Sequence, residues 1–277
     1  MNKNATRDDV KMGILINRLL VLLNASDSGS TYHHIALTLL QNLRLLQTSS
    51  IHDVAELCAV SKSTISKFIR ELGYHDYADF RYAIEFEDKR YRMPGTFVQD
   101  VIGYLQEHSI QEYAQLLAED LTSNVETLDV TSIDHLAQDI ADAQNVAAFG
   151  LMFSETAAID LQTKLGRVGK FIRTPQSDLQ QVEYVRHADE NTLLIVFSES
   201  GSFMDRYEMI DHSCGKSVFA ETKAKVVMIT ANEKMAKDSR VDYIIKMRHT
   251  DAVHTHRIVY PLITDILTYR YYELLQK

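Results

Sequence analysis

The chain is 277 residues long, 45% apolar and 24% charged, with 10 Gly and 3 Pro. That excludes a disordered, collagen-like or loop-dominated chain and, at ~150 residues per domain, leaves room for about two domains. The balance of 29 basic against 38 acidic residues gives a net charge of −9, which excludes a blanket nucleic-acid coat but not a local basic patch.

The first segment carries Lys3, Arg7 and Lys11 ahead of an apolar stretch, Ile14 to Ala25. Asp8 and Asp9 spoil a signal-peptide reading, and Asn17 and Arg18 interrupt the apolar run. It reads as an amphipathic helix of a cytoplasmic protein, and no run approaches the ~20 apolar residues needed to span a bilayer. Ser26 to Ser30 is a turn. Tyr32, Ile35, Ala36, Leu39, Leu40 and Leu43 then recur at helical spacing. Ile51 to Leu57 and Ser61 to Leu72 predict two more short helices, and Asp76 to Glu87 another. Cys58 and Cys214 form neither a CxxC nor a zinc spacing and read as free thiols.

Ile51 to Leu72 is the most informative segment. A helix with Val54, Ala55 and Leu57 inside is followed by a tight turn, Cys58 to Val60. Ser61 can cap the next helix by accepting from the backbone N–H of Thr64. In that helix Ile65, Phe68, Ile69 and Leu72 fall on one face, and Ser63, Ser66, Lys67 and Arg70 on the other. This is the division a helix in the DNA major groove needs, with Lys62 and Thr64 placed for phosphate contacts. Ala59 sits where many such turns carry Gly, at some conformational cost.

The stretch SKSTISKFIRELGYHDYADFRYAI also resembles the amino-terminal domain of RpiR-type transcriptional regulators. Val60, Ser61, Ser63, Thr64, Phe68, Leu72, Gly73, Tyr74, Tyr77 and Phe80 match, over about Leu15 to Phe86. Lys67 stands at a usual Arg, keeping the charge but not a bidentate guanine contact. Tyr74, Tyr77 and Phe80 read as core packing.

Lys89 to Gly95 is basic, then broken by Pro94 and Gly95, and reads as a linker. Phe97 to Ala143 is helical again. From Asn145 the pattern alternates: strands at Val146 to Phe149, Thr192 to Phe197, Val226 to Ile229 and Val241 to Ile245, helices at Glu155 to Val168, Phe203 to Val218 and about Val253 to Leu275. That is the signature of βαβ units and a parallel sheet. Two strand-to-helix loops carry hydroxyls, Gly150 to Ser154 and Ser198-Glu199-Ser200-Gly201-Ser202. Free N–H groups at helix starts bind anions, so two such loops at neighbouring strand ends would build one anion pocket at a topological switch point.

This half, about Leu121 to Leu275, resembles the SIS (sugar isomerase) domain. Gly150, Ser154, Ser198, Ser200 and Gly201 match its loops, and Ser202 can replace a hydroxyl lost where Phe203 stands at a usual Thr. Met152 stands at a usual Gly. In SIS dimers the segment before the last helix approaches the partner's pocket, so the resemblance brings His254, His256 or Arg257 to a bound phosphate. The i, i+2 spacing of His254 and His256 does not suit a metal site.

The expectation is an all-α helix-turn-helix domain (1–88), a linker (89–109) and a doubly wound, parallel α/β domain of SIS type (110–277). By the resemblance, the protein is a homodimer, able to pair further into a tetramer. It binds double-stranded operator DNA through Lys62, Ser63, Thr64, Ser66, Lys67 and Arg70. It senses a phosphorylated sugar through Gly150, Ser154, Ser198, Ser200, Gly201, Ser202 and His256. No catalytic residue, metal, cofactor or membrane partner is expected. The alternatives are a DNA-binding dimer whose pocket has lost its ligand, motivated by Met152 and Phe203, and a sugar-phosphate isomerase using Glu155, Glu199 or His254.

Overall fold

The computed structural model describes residues 15–91, 101–150, 153–175, 178–205, 218–248, 253 and 255–276. They group into two compact units, one before residue 97 and one after it.

The first unit is all helical: α1 (Leu15–Ala25), α2 (Thr31–Gln41), α3 (Leu43–Leu46), α4 (Ile51–Leu57), α5 (Lys62–Glu71) and α6 (Tyr77–Tyr91). Ser30 caps α2 by accepting from the His33 N–H, so the Ser26–Ser30 turn is where the sequence places it. Leu15, Leu19, Ile35, Leu39, Val54, Ile65 and Phe68 make one core. Tyr74 and Phe80 are buried in it edge to face, and Tyr77 donates from its hydroxyl to Ser49 O at 2.7 Å. These aromatics pack, as the sequence predicts, and do not face outward to stack on bases.

The second unit opens with α7 (Gly103–Glu107), α8 (Ile110–Thr127) and α9 (Val130–Asp142). It continues through β1 (Asn145–Gly150), α10 (Phe153–Arg167), α11 (Asp178–Arg186), β2 (Thr192–Phe197), α12 (Val218–Glu221), β3 (Lys225–Thr230), β4 (Tyr243–Lys246) and α13 (His256–Leu275). Single 3-10 turns sit at Ser202–Met204 and Glu233–Lys237. Helical structure thus reaches into the expected linker from both ends, through Tyr91 of α6 and through α7. The middle of the linker lies outside the described residues.

The four strands are parallel, in the order β1-β2-β3-β4. On the far edge of β1, Arg173 adds a parallel bridge to Ala147, exchanging hydrogen bonds with Val146 O and Ala148 N. The chain therefore leaves β1 towards one edge of the sheet and returns on the other as β2. This reversal makes the sheet doubly wound. Because crossovers are right-handed, it sends the connecting helices to opposite faces. Val146, Ala148, Leu193, Ile195 and Phe197 pack with α9, α10 and α13, while Ala147, Phe149, Leu194 and Val196 pack with α11 and α12. β2 is buried along its whole length, which is why TLLIVF is an unbroken apolar run.

The sequence reading names no element between Val168 and Thr192, where the structure has the Arg173 bridge and α11. Of the expected Phe203 to Val218 helix, the described residues show only the 3-10 turn and the start of α12. No helix among the described residues is long and apolar enough to cross a membrane.

Candidate functional site

The helix-turn-helix is α4, its turn and α5. Ser50 and Asp53 form a capping box at the start of α4: Asp53 N donates to Ser50 Oγ, and Ser50 N to Asp53 Oδ2 at 2.7 Å. These bonds hold the Asp53 carboxyl below its ordinary pKa. α4 ends in a Schellman turn, with Val60 N donating to Ala55 O and Ala59 N to Glu56 O. Ala59 occupies the left-handed position at φ 50°, the strain its identity predicts. Gly73 takes the same role after α5, at φ 84°, with Tyr74 N donating to Ile69 O.

Ser61 caps α5 as read from the sequence, accepting from the Thr64 N–H at 3.1 Å. Its Oγ also lies 2.8 Å from both Ser63 Oγ and Thr64 Oγ1. Ile65, Phe68, Ile69 and Leu72 are buried, while Lys62, Ser63, Lys67 and Arg70 are exposed and Thr64 and Ser66 half-buried. All six candidate DNA-contacting residues therefore lie off the core face. Ser66 Oγ donates to Lys62 O, and Arg70 Nε donates to Ser66 O. These bonds fold the two side chains back on their own helix.

Sequence reasoning missed Arg18, taken only as an interruption of an apolar helix. Its side chain is fully buried, with Nη1 donating to Leu72 O at 3.2 Å and the guanidinium 4.8 Å from the Tyr74 ring centre. An orphan carbonyl at the end of α5 is thereby satisfied from α1. Its i, i+4 relation to Leu22 on an otherwise apolar face could have marked it as buried. Cys58 is buried at the turn, which pushes its thiol up to about 11; Cys214 lies outside the described residues.

In the second unit, Gly150 ends β1 and pairs in register with Phe197 at the end of β2. The two hydroxyl-bearing loops therefore leave neighbouring strand ends, at the point where the winding reverses. A Cβ on Gly150 would lie 2.3 Å from the Ser154 carbonyl carbon and oxygen, so only glycine allows α10 to start there. Ser154 is buried in the first turn of α10. Leu151 and Met152 are outside the described residues.

The second loop is tightly built. Phe203 N donates to buried Ser198 Oγ at 3.2 Å, and Ser200 Oγ donates to Ser202 Oγ at 2.9 Å. Gly201 has φ 77°, and a Cβ there would meet the Met235 side chain at 2.6 Å. The turn after β3 braces the loop: Thr230 Oγ1 donates to Glu199 O and Asn232 Nδ2 to Ser200 O, both at 2.8 Å. Asn232 is a support that sequence reasoning did not single out. Phe203 is buried and stacks parallel to Phe149, so it is a core residue.

α13 packs beside the end of β2. Its first turn carries His256, half-buried and 5.7 Å from the Tyr260 ring. Tyr260 packs edge to face on Phe197 at 5.2 Å. α8 holds the approach to α13: Thr255 donates to Asp120 Oδ2, and the Asn124 amide pairs with both the N–H and the C=O of Arg248. His249 and His254 lie outside the described residues. Burial raises the pKa of Glu155.

A cleft of about 1090 Å³ lies elsewhere, lined by Asn145 and Thr192 at the amino ends of β1 and β2, with Arg173, Tyr184, Arg186 and His187. Its arginines are engaged, Arg186 by Glu183 and Arg173 by the face of Tyr184. No group of acidic, histidine and cysteine side chains suited to a metal occurs among the described residues.

Residues 18–90 match the family model described as a helix-turn-helix domain, rpiR family. The chain carries an rpiR-family helix-turn-helix domain. It is 26% identical over 204 residues, 72% of this chain and 70% of the relative, to an uncharacterized HTH-type transcriptional regulator in the aarA 3' region of Providencia stuartii. It is 22% identical over 241 residues, 84% of this chain and 81% of the relative, to the HTH-type transcriptional regulator HexR of Pseudomonas aeruginosa. Among solved structures, the Vibrio vulnificus NanR protein complexed with ManNAc-6P matches 95% of this chain and 92% of its own, with TM-score 0.50 and 18% identity. That likeness is one of fold, a helical amino-terminal unit and a parallel-sheet unit.

Proposed function

We propose that this protein is a transcriptional regulator that binds operator DNA through α5 and changes operator affinity when a phosphorylated sugar occupies the crevice between the β1 and β2 loops. One observation carries the reading above the others. The helix with a fully buried apolar face and an outer face of Lys62, Ser63, Lys67 and Arg70 stands in a chain whose other unit brings two serine loops to adjacent strand ends. The start of α10, carrying Ser154 and shaped by Gly150, is a helix end of the kind that takes phosphate, and the neighbouring loop brings the hydroxyls of Ser198, Ser200 and Ser202. The bound ManNAc-6P of the NanR neighbour supports a sugar phosphate as the ligand class.

As a homodimer the protein would hold two α5 helices about one DNA turn, ~34 Å, apart and read a palindrome. Effector binding would shift the balance between two spacings through the Lys89 to Gly95 segment, a coupling typically worth ~1–3 kcal/mol. The relatives' names as transcriptional regulators favour this reading over an isomerase.

The experiment is a thermal-shift and operator-binding series with glucose 6-phosphate, fructose 6-phosphate, N-acetylmannosamine 6-phosphate and inorganic phosphate. The expected result is stabilisation by at least one sugar phosphate, with a change in affinity for a fragment selected from genomic DNA. Stabilisation by none at millimolar concentration, with DNA selectivity retained, would establish instead a regulator whose pocket has lost its ligand. Turnover of a sugar phosphate that disappears in Glu199→Gln would establish an isomerase.

A further inference from the structure

The cleft of about 1090 Å³ at the amino ends of β1 and β2 takes no part in the effector reading, whose loops leave the opposite ends of the same strands. Its wall is built around Arg173. Arg173 N donates to Val146 O and Ala148 N donates to Arg173 O, both at 2.9 Å, so the backbone is fixed against β1. The flanking residues are pinned as well: Gln162 Nε2 donates to Ile172 O at 2.8 Å, and Thr174 Oγ1 donates to Gln162 Oε1 at 2.9 Å. The Arg173 guanidinium lies over the Tyr184 ring, 5.4 Å from its centre. That ring in turn stands edge to face on buried Phe149. A ring engages the flat face of a guanidinium and leaves the N–H groups at its edge to find acceptors elsewhere. Among the described residues, no carboxylate or carbonyl accepts from them.

The charge on this wall is not balanced. Glu183 is the acidic side chain among the described lining residues, and it is taken by Arg186 at 2.6 Å and by His187 at 3.4 Å. Arg186 gives that carboxylate a single N–H group, from Nη1, and keeps its other donors open. Two guanidiniums therefore share one carboxylate, in a chain whose net charge is −9. Planar forks of this kind pair with planar carboxylates through two parallel N–H···O bonds. We propose that the cleft is a second ligand site, separate from the serine loops, which takes a small organic polycarboxylate. One carboxylate pairs with the edge of Arg173 on its Tyr184 platform, and another takes the open donors of Arg186. The volume is ample for a molecule the size of citrate. Because the β1 pairing and the Tyr184 face place Arg173 before a ligand arrives, little ordering of that side chain remains to oppose binding.

Citrate binding here does not depend on whether the serine loops hold a sugar phosphate. The full-length protein, Arg173→Met and Arg173→Lys are titrated with citrate, malonate and acetate at constant ionic strength, by calorimetry and by thermal shift. The expected result is saturable binding of citrate and malonate to the parent, with acetate, which has one carboxylate, weaker by about tenfold or more. Affinity for citrate should fall about tenfold or more in both variants, because methionine removes the charge and lysine keeps it without the fork. Arg173 is exposed, so the ligand-free melting temperatures should stay close to that of the parent. Arg173→Lys keeps a cation on the ring and decides the matter if Arg173→Met folds poorly. A parent without saturable citrate binding would overturn the proposal. So would variants that bind citrate as well as the parent does, since the anion would then sit elsewhere on the chain. Acetate that matches citrate would remove the second carboxylate, and displacement of citrate by equimolar inorganic phosphate would overturn the assignment to carboxylates.

Discussion

Single residues carry much of the argument, and several can be tested alone. Ala59 holds a left-handed backbone that a Cβ disfavours by roughly 1–2 kcal/mol. Ala59→Gly should therefore raise stability by about 1 kcal/mol, offset in part by added freedom in the unfolded chain, as read from the midpoint of urea unfolding. Gly150 is the converse. Its missing side chain is what lets the Ser154 carbonyl approach, and Gly150→Ala should cost about 3 kcal/mol, since backbone rather than a flexible side chain stands in the way. Lys67 and Arg70 project from the exposed face of α5. Lys67→Ala or Arg70→Ala should weaken operator binding with little change in melting temperature. For either residue that contacts a phosphate, the log–log salt slope should drop by about 0.9. Unchanged binding in both variants would remove this face from the DNA interface.

Elements explain why some of this was legible in the sequence and some was not. α5 could be read almost to the residue, because its cap, its apolar stripe and its terminating glycine agree. The strands β1, β2 and β3 were legible as apolar runs, since both faces of the sheet are covered. α11 was not, because its described apolar residues include only Val182 and Val185 as buried ones and it follows a bridge of a single residue, Arg173. The serine loops announced themselves by composition. Their brace Asn232 did not, since, like Arg18 in the other unit, it acts across a long sequence separation and belongs to no local pattern. α8 shows the same limit. Asp120 and Asn124, one turn apart and both buried, hold Thr255 and the Arg248 main chain at either end of the approach to α13. Asn124→Ala leaves two main-chain groups without their partner and should cost about 2 kcal/mol in urea unfolding. A loss under a few tenths would show that water replaces the amide.

At the scale of the molecule, acid stability follows from how the helices and turns are fastened. Asp53, Glu112 and Asp129 accept capping hydrogen bonds, Asp189 bonds to Thr192, and Asp238 bonds to Arg240, so all five titrate below their ordinary values of 3.8 to 4.5. A carboxyl whose folded pKa is depressed contributes stability above its unfolded pKa and loses it as pH falls through the folded value. Glu155, raised by burial, works in the opposite sense, costing stability as pH rises past its ordinary value. Asp76 and Glu233 are depressed as well, so the lowered carboxyls outweigh Glu155, and the urea midpoint should stay level down to about pH 5 and then fall between roughly pH 4 and pH 2. A midpoint that rises over that window would contradict the capping geometry.

The buried Arg18 has a consequence for how small a DNA-reading piece of this chain can be. A fragment trimmed to begin at Ser30 keeps every residue of α4 and α5, yet it withdraws the donor that closes Leu72 and the cation that lies against Tyr74. Its last recognition turn should fray, visible as fast amide exchange near Ile69 to Tyr74, whereas a fragment that begins ahead of Leu15 should protect those amides. α1 is, in this sense, the keystone of α5.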